Sequence, residues 1–258
     1  LSTIDGRFQG VGGRGAGSFS QVQVVGRAGV PASAVAVAMT VTVINARAPG
    51  LLAEAAARLD GGLVHYSTDY VFSGEGATPW RESDATAPVN VYGASKLAGE
   101  QAVLASGADA LILRTSWVYG GPGQNFVNTM LRLAGERERL TVVDDQIGAP
   151  TASRFLADAT LAALAQDWRA RAGLYHLSAS GDTSWCGFAR AIVEQALAHG
   201  QALKLSAADI APIPSSSYPT PARRPANSRL DCSAFEQAFA VHRPHWRAQL
   251  AAHFASRG

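Results

Sequence analysis

The sequence predicts an α/β fold with a mostly parallel sheet. Three short, largely apolar runs lie at residues 63–66, 110–113 and 140–143, and segments with helical spacing alternate with them. Short apolar runs with polar or glycine-rich flanks are typical of buried strands, and strands that alternate with helices favour parallel pairing. Polar side chains follow directly after the first run, where open α/β sheets bind their ligands. We therefore expect a ligand site at the end of the first strand.

Residues 1–40 depart from this pattern. Gly10, Gly12 and Gly15 match the G-x-G-x-x-G spacing, in which glycines let the backbone approach a pyrophosphate at a helix N-terminus. No buried-strand pattern precedes these glycines and no amphipathic helix follows them, so a chance match is predicted. Several strand–helix units are expected before residue 63, and about one is readable. The segment is interpreted as atypical, either a degenerate half of a dinucleotide-binding domain or a disordered region.

A helix is predicted to end at Leu59, just before the first strand. Pro49 suits its first turn, where a missing N–H is harmless. Leucine and alanine then recur at helical spacing, and we predict that this stripe packs into the core. The stripe consists of Leu51, Leu52, Ala55, Ala56 and Leu59.

The chemistry is predicted to lie on the first strand and the next helix. Ser67, Thr68 and Asp69 end the strand, and Tyr92 and Lys96 lie one helical turn apart, so the phenol and the ammonium share a helix face. A free tyrosine has a pKa of about 10, and an adjacent ammonium is expected to lower it. With the Thr68 hydroxyl on the same oxygen, this set predicts proton donation to a carbonyl that receives hydride from elsewhere. Taken alone, the Tyr-x-x-x-Lys spacing is a weak signal, since many ordinary surface helices contain it by chance.

Three features further along the chain are candidates for binding. Trp117 follows the second strand, where a core aromatic and a stacking residue are both compatible with the sequence. Asn125 begins a helix predicted to reach Arg137. Arg223 and Arg224 suit bidentate contacts with a diphosphate, and an exposed, solvated pair is the alternative.

The composition argues against several classes of partner. The chain is 47% hydrophobic and 16% charged, with a net charge of +2 and scattered basic residues, which argues against nucleic acid. Its most apolar stretch, residues 29–44, is too short to span a membrane. Neither the six histidines nor Cys186 and Cys232 have metal-ligand spacing, so no metal site is expected. With no signal peptide visible, we expect reduced thiols in a cytoplasmic protein.

The segments YSTDYVF, PWRE and PVNVYGASKLAGE, in this order and spacing, resemble the extended short-chain dehydrogenase/reductases. More narrowly, they resemble the dTDP-4-dehydrorhamnose reductases, and the resemblance continues through LRTSWVYGGPGQNFVNTMLRLA and VVDDQIGAPT over residues 41–258. It implies a Rossmann-type, doubly wound, mostly parallel sheet, with residues 1–180 as the dinucleotide-binding domain and 181–258 as a smaller substrate-binding lobe. It also implies reduction of dTDP-4-dehydro-L-rhamnose to dTDP-L-rhamnose by NADPH or NADH, and is compatible with a homodimer.

The resemblance implies roles for single residues. Tyr92 would protonate the C4 oxygen, Lys96 would lower its pKa and hold the nicotinamide ribose, and Thr68 would fix the ketone. Ser67 and Asn45 are expected beside the cofactor. The residues expected to bind the dTDP-sugar are Thr68, Asp69, Trp117, Asn125 and Arg224.

Other functions stay open at this point. Dehydratases of this fold usually carry Thr-Asp-Glu where this chain has Thr68, Asp69 and Tyr70, which argues against elimination, whereas a sugar-nucleotide epimerase is harder to exclude. One relative of these reductases is a regulatory subunit of methionine adenosyltransferase, so a nucleotide-sugar-binding protein without turnover is an alternative. A damaged reductase without a competent cofactor site is another. Dinucleotide binding distinguishes a working enzyme from a damaged one.

Overall fold

The computed structural model describes residues 41–121, 123–220 and 222–256. They lie in one compact unit, Ala38–Gly258. The predictions for residues 1–40, including the glycine match, fall outside the described residues. The proposed domain boundary at residue 180 stays a prediction.

Helices and strands alternate through most of the described chain. A π-helical turn, Val43–Arg47, leads into the first α-helix. The α-helices are α1 Ala48–Arg58, α2 Val91–Ala105, α3 Phe126–Glu136, α4 Ser153–Leu164, α5 Trp185–Ala198, α6 Ser233–Phe239 and α7 Trp246–Ala255. The strands are β1 Gly62–Thr68, β2 Asp109–Thr115, β3 Val118–Tyr119, β4 Leu140–Val143, β5 Ile147–Gly148, β6 Thr151–Ala152, β7 Gly173–His176, β8 Thr183–Ser184 and β9 Ile210–Ile213.

The central sheet is parallel and has helices on both faces. Its strand order is β1-β2-β7, with Gly62 opposite Asp109 at the start of β1 and β2. Ile112 packs with α1 and α2 on one face, whereas Leu111 and Leu113 pack with α4 and α6 on the other. A strand buried on both faces is continuously apolar, as β2 is. The predicted α/β fold with parallel strand pairing is confirmed.

A second core lies beyond the central sheet. Two further strand pairs are parallel, β3 with β6 and β4 with β9, and β5 pairs with β8 antiparallel. Helices α3, α5 and α7 contribute side chains to this core, among them Val127, Phe188 and Leu250. Cys186 lies in the same core, and both Cys186 and Cys232 are buried free thiols, as predicted.

The prediction for the leucine stripe of α1 is wrong. Leu51, Leu52 and Leu59 are 51%, 61% and 81% exposed. The buried face of α1 instead carries small residues, and a Cβ added to Gly50 would lie 2.9 Å from the Ala102 Cβ. Because α1 packs so closely on α2, large side chains have no room on the shared face.

A buried ion pair ties α2 to the central sheet. The Arg114 guanidinium donates to both Glu100 oxygens, Nε to Oε1 at 2.9 Å and Nη2 to Oε2 at 2.7 Å. Both residues are at most 4% exposed, and such bidentate, desolvated pairs have a narrowly defined geometry. Since Glu100 lies one turn after Lys96, this pair positions the helix that carries Tyr92 and Lys96.

Candidate active site

The C-terminal end of β1 is a buried polar surface. Ser67, Thr68 and Asp69 are all at most 5% exposed. The Thr68 hydroxyl accepts the Tyr70 backbone N–H at 3.2 Å and donates to Asp69 Oδ1 at 3.1 Å. The turn after the strand therefore fixes the direction in which Thr68 points.

Helix α2 begins directly beside this strand end. Asn90 caps the helix, because its side-chain oxygen accepts the Gly93 N–H at 2.8 Å. A Cβ on Gly93 would lie 2.1 Å from the Tyr70 carbonyl oxygen, so glycine permits the close approach. The Tyr92 ring consequently lies edge-on to Tyr70, with ring centroids 5.6 Å apart, and a Tyr92–Thr68 side-chain hydrogen bond joins the helix to the strand.

Lys96 reaches back to β1. Its ammonium donates to the Tyr66 carbonyl oxygen at 2.6 Å. Burial lowers the pKa of Lys96, and the Glu100 carboxylate opposes that change. Burial, assisted by the Lys96 charge, also lowers the pKa of the neighbouring His65 to about 4, so His65 is neutral near pH 7.

The pKa of Tyr92 differs from the prediction. Burial raises it, the hydrogen bond with Thr68 opposes the rise, and the Asp69 charge adds to it. The expected lowering by Lys96 is not found, because burial disfavours the charged phenolate more strongly than its neighbours favour it. A raised pKa keeps the proton on the phenol, which is the form that an acid catalyst needs.

The Asp69 carboxyl group is almost completely buried from solvent. Burial raises its pKa to about 7, against the hydrogen bonds of Ser228 and Thr68. A carboxyl group with such a pKa changes charge near neutrality. Asp69 thus combines two properties of functional groups, a perturbed pKa and a position beside Thr68 and Tyr92.

Ser67 and Asn45, both predicted beside the cofactor, have different surroundings. The Ser67 hydroxyl is buried and has no hydrogen-bond partner within the described part of the chain. Asn45 instead donates to Ser95 Oγ at 3.1 Å, and Ser95 donates to the Tyr92 carbonyl at 2.8 Å. Asn45 therefore anchors the first turn of α2, and its contact with a cofactor stays a prediction.

Trp117 and Asn125 have structural partners of their own. Trp117 adopts a left-handed backbone conformation with φ 49°, and its indole stacks on Trp185 with centroids 3.6 Å apart and planes 10° apart. Asn125 caps α3, with its side-chain oxygen accepting the Asn128 N–H at 3.0 Å. Trp185 does not stand out in the sequence, since nothing in its local sequence distinguishes it from a first-turn helix residue.

A cavity of about 990 Å³ is lined by more basic than acidic side chains. Arg137, Arg139, Arg223 and Arg224 line it, and Glu75 is the acidic residue among the lining. Arg223 Nη2 lies 3.9 Å from Glu75 Oε1. Arg224 was predicted to bind substrate, whereas Arg137 and Arg139 were missed because they reach the cavity from a segment remote in sequence. Phe126, Met130 and Trp185 contribute apolar lining.

Two kinds of feature are not found among the described residues. No helix among them combines the length and the apolar character required to cross a bilayer. Within the same ranges, no three His, Cys, Asp or Glu side chains come together as metal ligands.

Comparison with known proteins places this geometry in a family. Residues 34–257 match a family model described as RmlD substrate binding domain. A dTDP-4-dehydrorhamnose reductase of Burkholderia thailandensis is 52% identical over 211 residues, or 80% of this chain and 71% of the relative. The Escherichia coli K12 reductase is 52% identical over 206 residues, 79% of this chain and 68% of the relative. The solved dTDP-4-dehydrorhamnose reductase of Bacillus anthracis, in complex with NADP, has a TM-score of 0.78 and 35% identity, covering 86% of this chain and 75% of that one.

Proposed function

Because the chain belongs to the dTDP-4-dehydrorhamnose reductase family, we propose that it reduces the C4 ketone of dTDP-4-dehydro-L-rhamnose to give dTDP-L-rhamnose, with NADPH or NADH as cofactor. It is an NAD(P)H-dependent oxidoreductase of dTDP-rhamnose biosynthesis. The observation that supports the proposal most directly is the meeting of Tyr92, Lys96 and Thr68 at the buried end of β1.

Tyr92 is the proton donor in this proposal. Its raised pKa keeps the phenol protonated at neutral pH. By exchanging its hydrogen bond with Asp69 Oδ1, the Thr68 hydroxyl beside it can donate to the same ketone oxygen. As negative charge develops on that oxygen, Tyr92 transfers its proton there and becomes a phenolate. The Thr68 hydroxyl beside it can then hydrogen-bond the phenolate.

The described residues fit the nicotinamide half of the cofactor. The Ser67 hydroxyl is buried without a partner, and Lys96 presents an ammonium at the same strand end. We propose that the Ser67 hydroxyl, the Lys96 ammonium and Asn45 hold the nicotinamide ribose and ring. When bound, the reduced nicotinamide supplies the hydride for C4.

The basic cavity is proposed to hold the nucleotide part of the substrate. Four arginines with one glutamate give it a positive balance, and guanidinium groups suit the paired oxygens of a diphosphate. Arg224 is the member predicted from the sequence. Asp69, Trp117 and Asn125 are proposed to contact the sugar nucleotide as the resemblance implies.

The proposal is tested by turnover with product identification. The purified chain is mixed with dTDP-4-dehydrorhamnose and either NADPH or NADH, and nicotinamide oxidation is followed together with mass spectrometry of the sugar nucleotide. Equal consumption of reduced cofactor and formation of dTDP-L-rhamnose are expected. Binding of both ligands without turnover would contradict the proposal and favour a nucleotide-sugar-binding protein. An isomeric product without net nicotinamide oxidation would favour an epimerase.

We also propose that the enzyme acts in the cytoplasm as a homodimer. The resemblance is compatible with a homodimer, and the free thiols of Cys186 and Cys232 are typical of a reducing compartment. Light scattering coupled to gel filtration tests the dimer, for which a mass twice that of the 26.9 kDa chain is expected. A mass of one chain across the concentrations used for the activity assay would contradict it.

A further inference from the structure

A pair of stacked tryptophans lies beside the basic cavity. Trp117 and Trp185 stack in parallel at 3.6 Å, and Phe126 lies against Trp185 at 4.6 Å between ring centroids. Trp185 and Phe126 line the cavity, whereas Trp117 is not among the lining residues. The indole nearest the cavity is therefore Trp185.

Two neighbours lie close to the Trp117 ring. Trp185 covers one of its faces. A Cβ built on Gly148 would lie 2.6 to 3.0 Å from three Trp117 ring atoms, so the Gly148 backbone lies close to the indole. The left-handed backbone of Trp117, with φ 49°, costs free energy in a non-glycine residue. These contacts hold Trp117 in one orientation.

We propose that Trp185 is a second aromatic residue for binding the sugar nucleotide, and that it also positions Trp117. This inference rests on the proposed function, since it takes the arginine-lined cavity as the nucleotide site. Trp185 lines the same cavity as Arg223 and Arg224. A flat, partly apolar group of the ligand, either the thymine base or a sugar face, can pack on the indole while its diphosphate meets the guanidinium groups.

The first test measures ligand binding without turnover. Titrations of dTDP and of dTDP-rhamnose are followed by calorimetry for the wild type and for Trp185→Leu. Loss of an aromatic stacking partner is expected to weaken binding about 10- to 100-fold. If the affinity for both ligands falls, the base packs on Trp185. If only the affinity for dTDP-rhamnose falls, the sugar packs on Trp185. Unchanged affinity for both ligands would overturn the proposal.

Matched variants separate binding from folding. Trp168→Phe alters a tryptophan that packs against the central sheet and is expected to leave both affinities unchanged. Trp185→Phe keeps an aromatic ring beside Trp117 and should recover most of the affinity. If the leucine variant does not fold, dTDP quenching of tryptophan fluorescence decides: it must be smaller in Trp185→Phe than in the wild type, and equal quenching would overturn the proposal.

The positioning role has its own spectroscopic readout. Two indoles stacked at this distance couple their electronic transitions, so the wild type should show a paired circular dichroism band that Trp185→Phe and Trp117→Phe both remove. A band that persists in either variant would contradict the stacked pair. These measurements need no catalysis, so a chain that binds dTDP through Trp185 but does not oxidise NADPH would refute the proposed function and leave this inference standing.

Discussion

At the scale of single residues, the chemistry of the site depends on which groups are protonated. Tyr92 keeps its proton because burial raises its pKa, and Asp69 titrates near neutrality because it is almost completely removed from water. Thr68 lies between them, with hydrogen bonds to both. The Thr68 hydroxyl therefore lies between the proposed acid, Tyr92, and the buried Asp69 carboxyl group.

Replacing Tyr92 with phenylalanine is expected to remove turnover and preserve substrate binding. Only the acidic proton is lost, so kcat should fall about 100- to 10,000-fold, while affinity for the dTDP-sugar changes little. Stopped assays and calorimetry measure the two quantities. Tyr70→Phe, which alters the ring packed edge-on against Tyr92, is the matched control and should retain activity. Normal turnover in the Tyr92 variant would rule out the proposed acid.

Asp69 makes stability depend on pH. Its pKa is 3.8 in the reference state and about 7 in the fold, so the unfolded chain ionises first as pH rises. The folded state therefore loses stability between about pH 4 and pH 7, by at most about 4 kcal/mol. Asp69→Asn removes this titration, so the thermal midpoint of the variant, relative to the wild type, should rise from pH 5 to pH 8. A constant difference across that range would contradict the raised pKa.

At the scale of elements, the active site is a junction between β1 and α2. The capped start of α2 brings Tyr92 to the strand end, Gly93 lets the backbones approach, and Lys96 returns to the Tyr66 carbonyl. The Arg114–Glu100 pair holds the same helix from the β2 side. The catalytic residues Tyr92 and Lys96 and the anchoring residue Glu100 therefore lie on consecutive turns of one helix.

Glu100→Gln tests that anchoring. It leaves the Arg114 charge buried without its carboxylate, and removal of one partner of a buried pair destabilises a protein by about 3–5 kcal/mol. Urea unfolding measures the loss. The control is Glu136→Gln, which breaks an exposed pair with Arg132 and should cost less than about 1 kcal/mol. Equal, small losses in both variants would show that the buried pair does not hold α2.

At the scale of the whole molecule, the sequence predicted local structure well. The bounds of β4 agree with the predicted range, and Tyr92 and Lys96 share a helix as their spacing indicated. These features depend on periodicity and on residues near in sequence. A parallel order of strands also follows from alternation with helices.

The features that sequence missed depend on residues distant along the chain. The leucine stripe of α1 is exposed because the packing distance to α2 selects small residues. The pKa of Tyr92 is raised rather than lowered because the fold buries its phenol. Trp185 is distinguished by its stacking on Trp117, a residue distant from it in the sequence. No local pattern carries such information.

The most direct test of the central claim is a titration of NADPH and NADH into the purified chain, following nicotinamide fluorescence and the thermal midpoint together. A reductase of this family must bind the cofactor in its folded state, and a ligand that binds only that state raises the midpoint. We predict saturable binding at about micromolar concentration with a matching rise in the midpoint. A folded chain that shows neither signal with either nucleotide would contradict the assignment as a working NAD(P)H-dependent reductase.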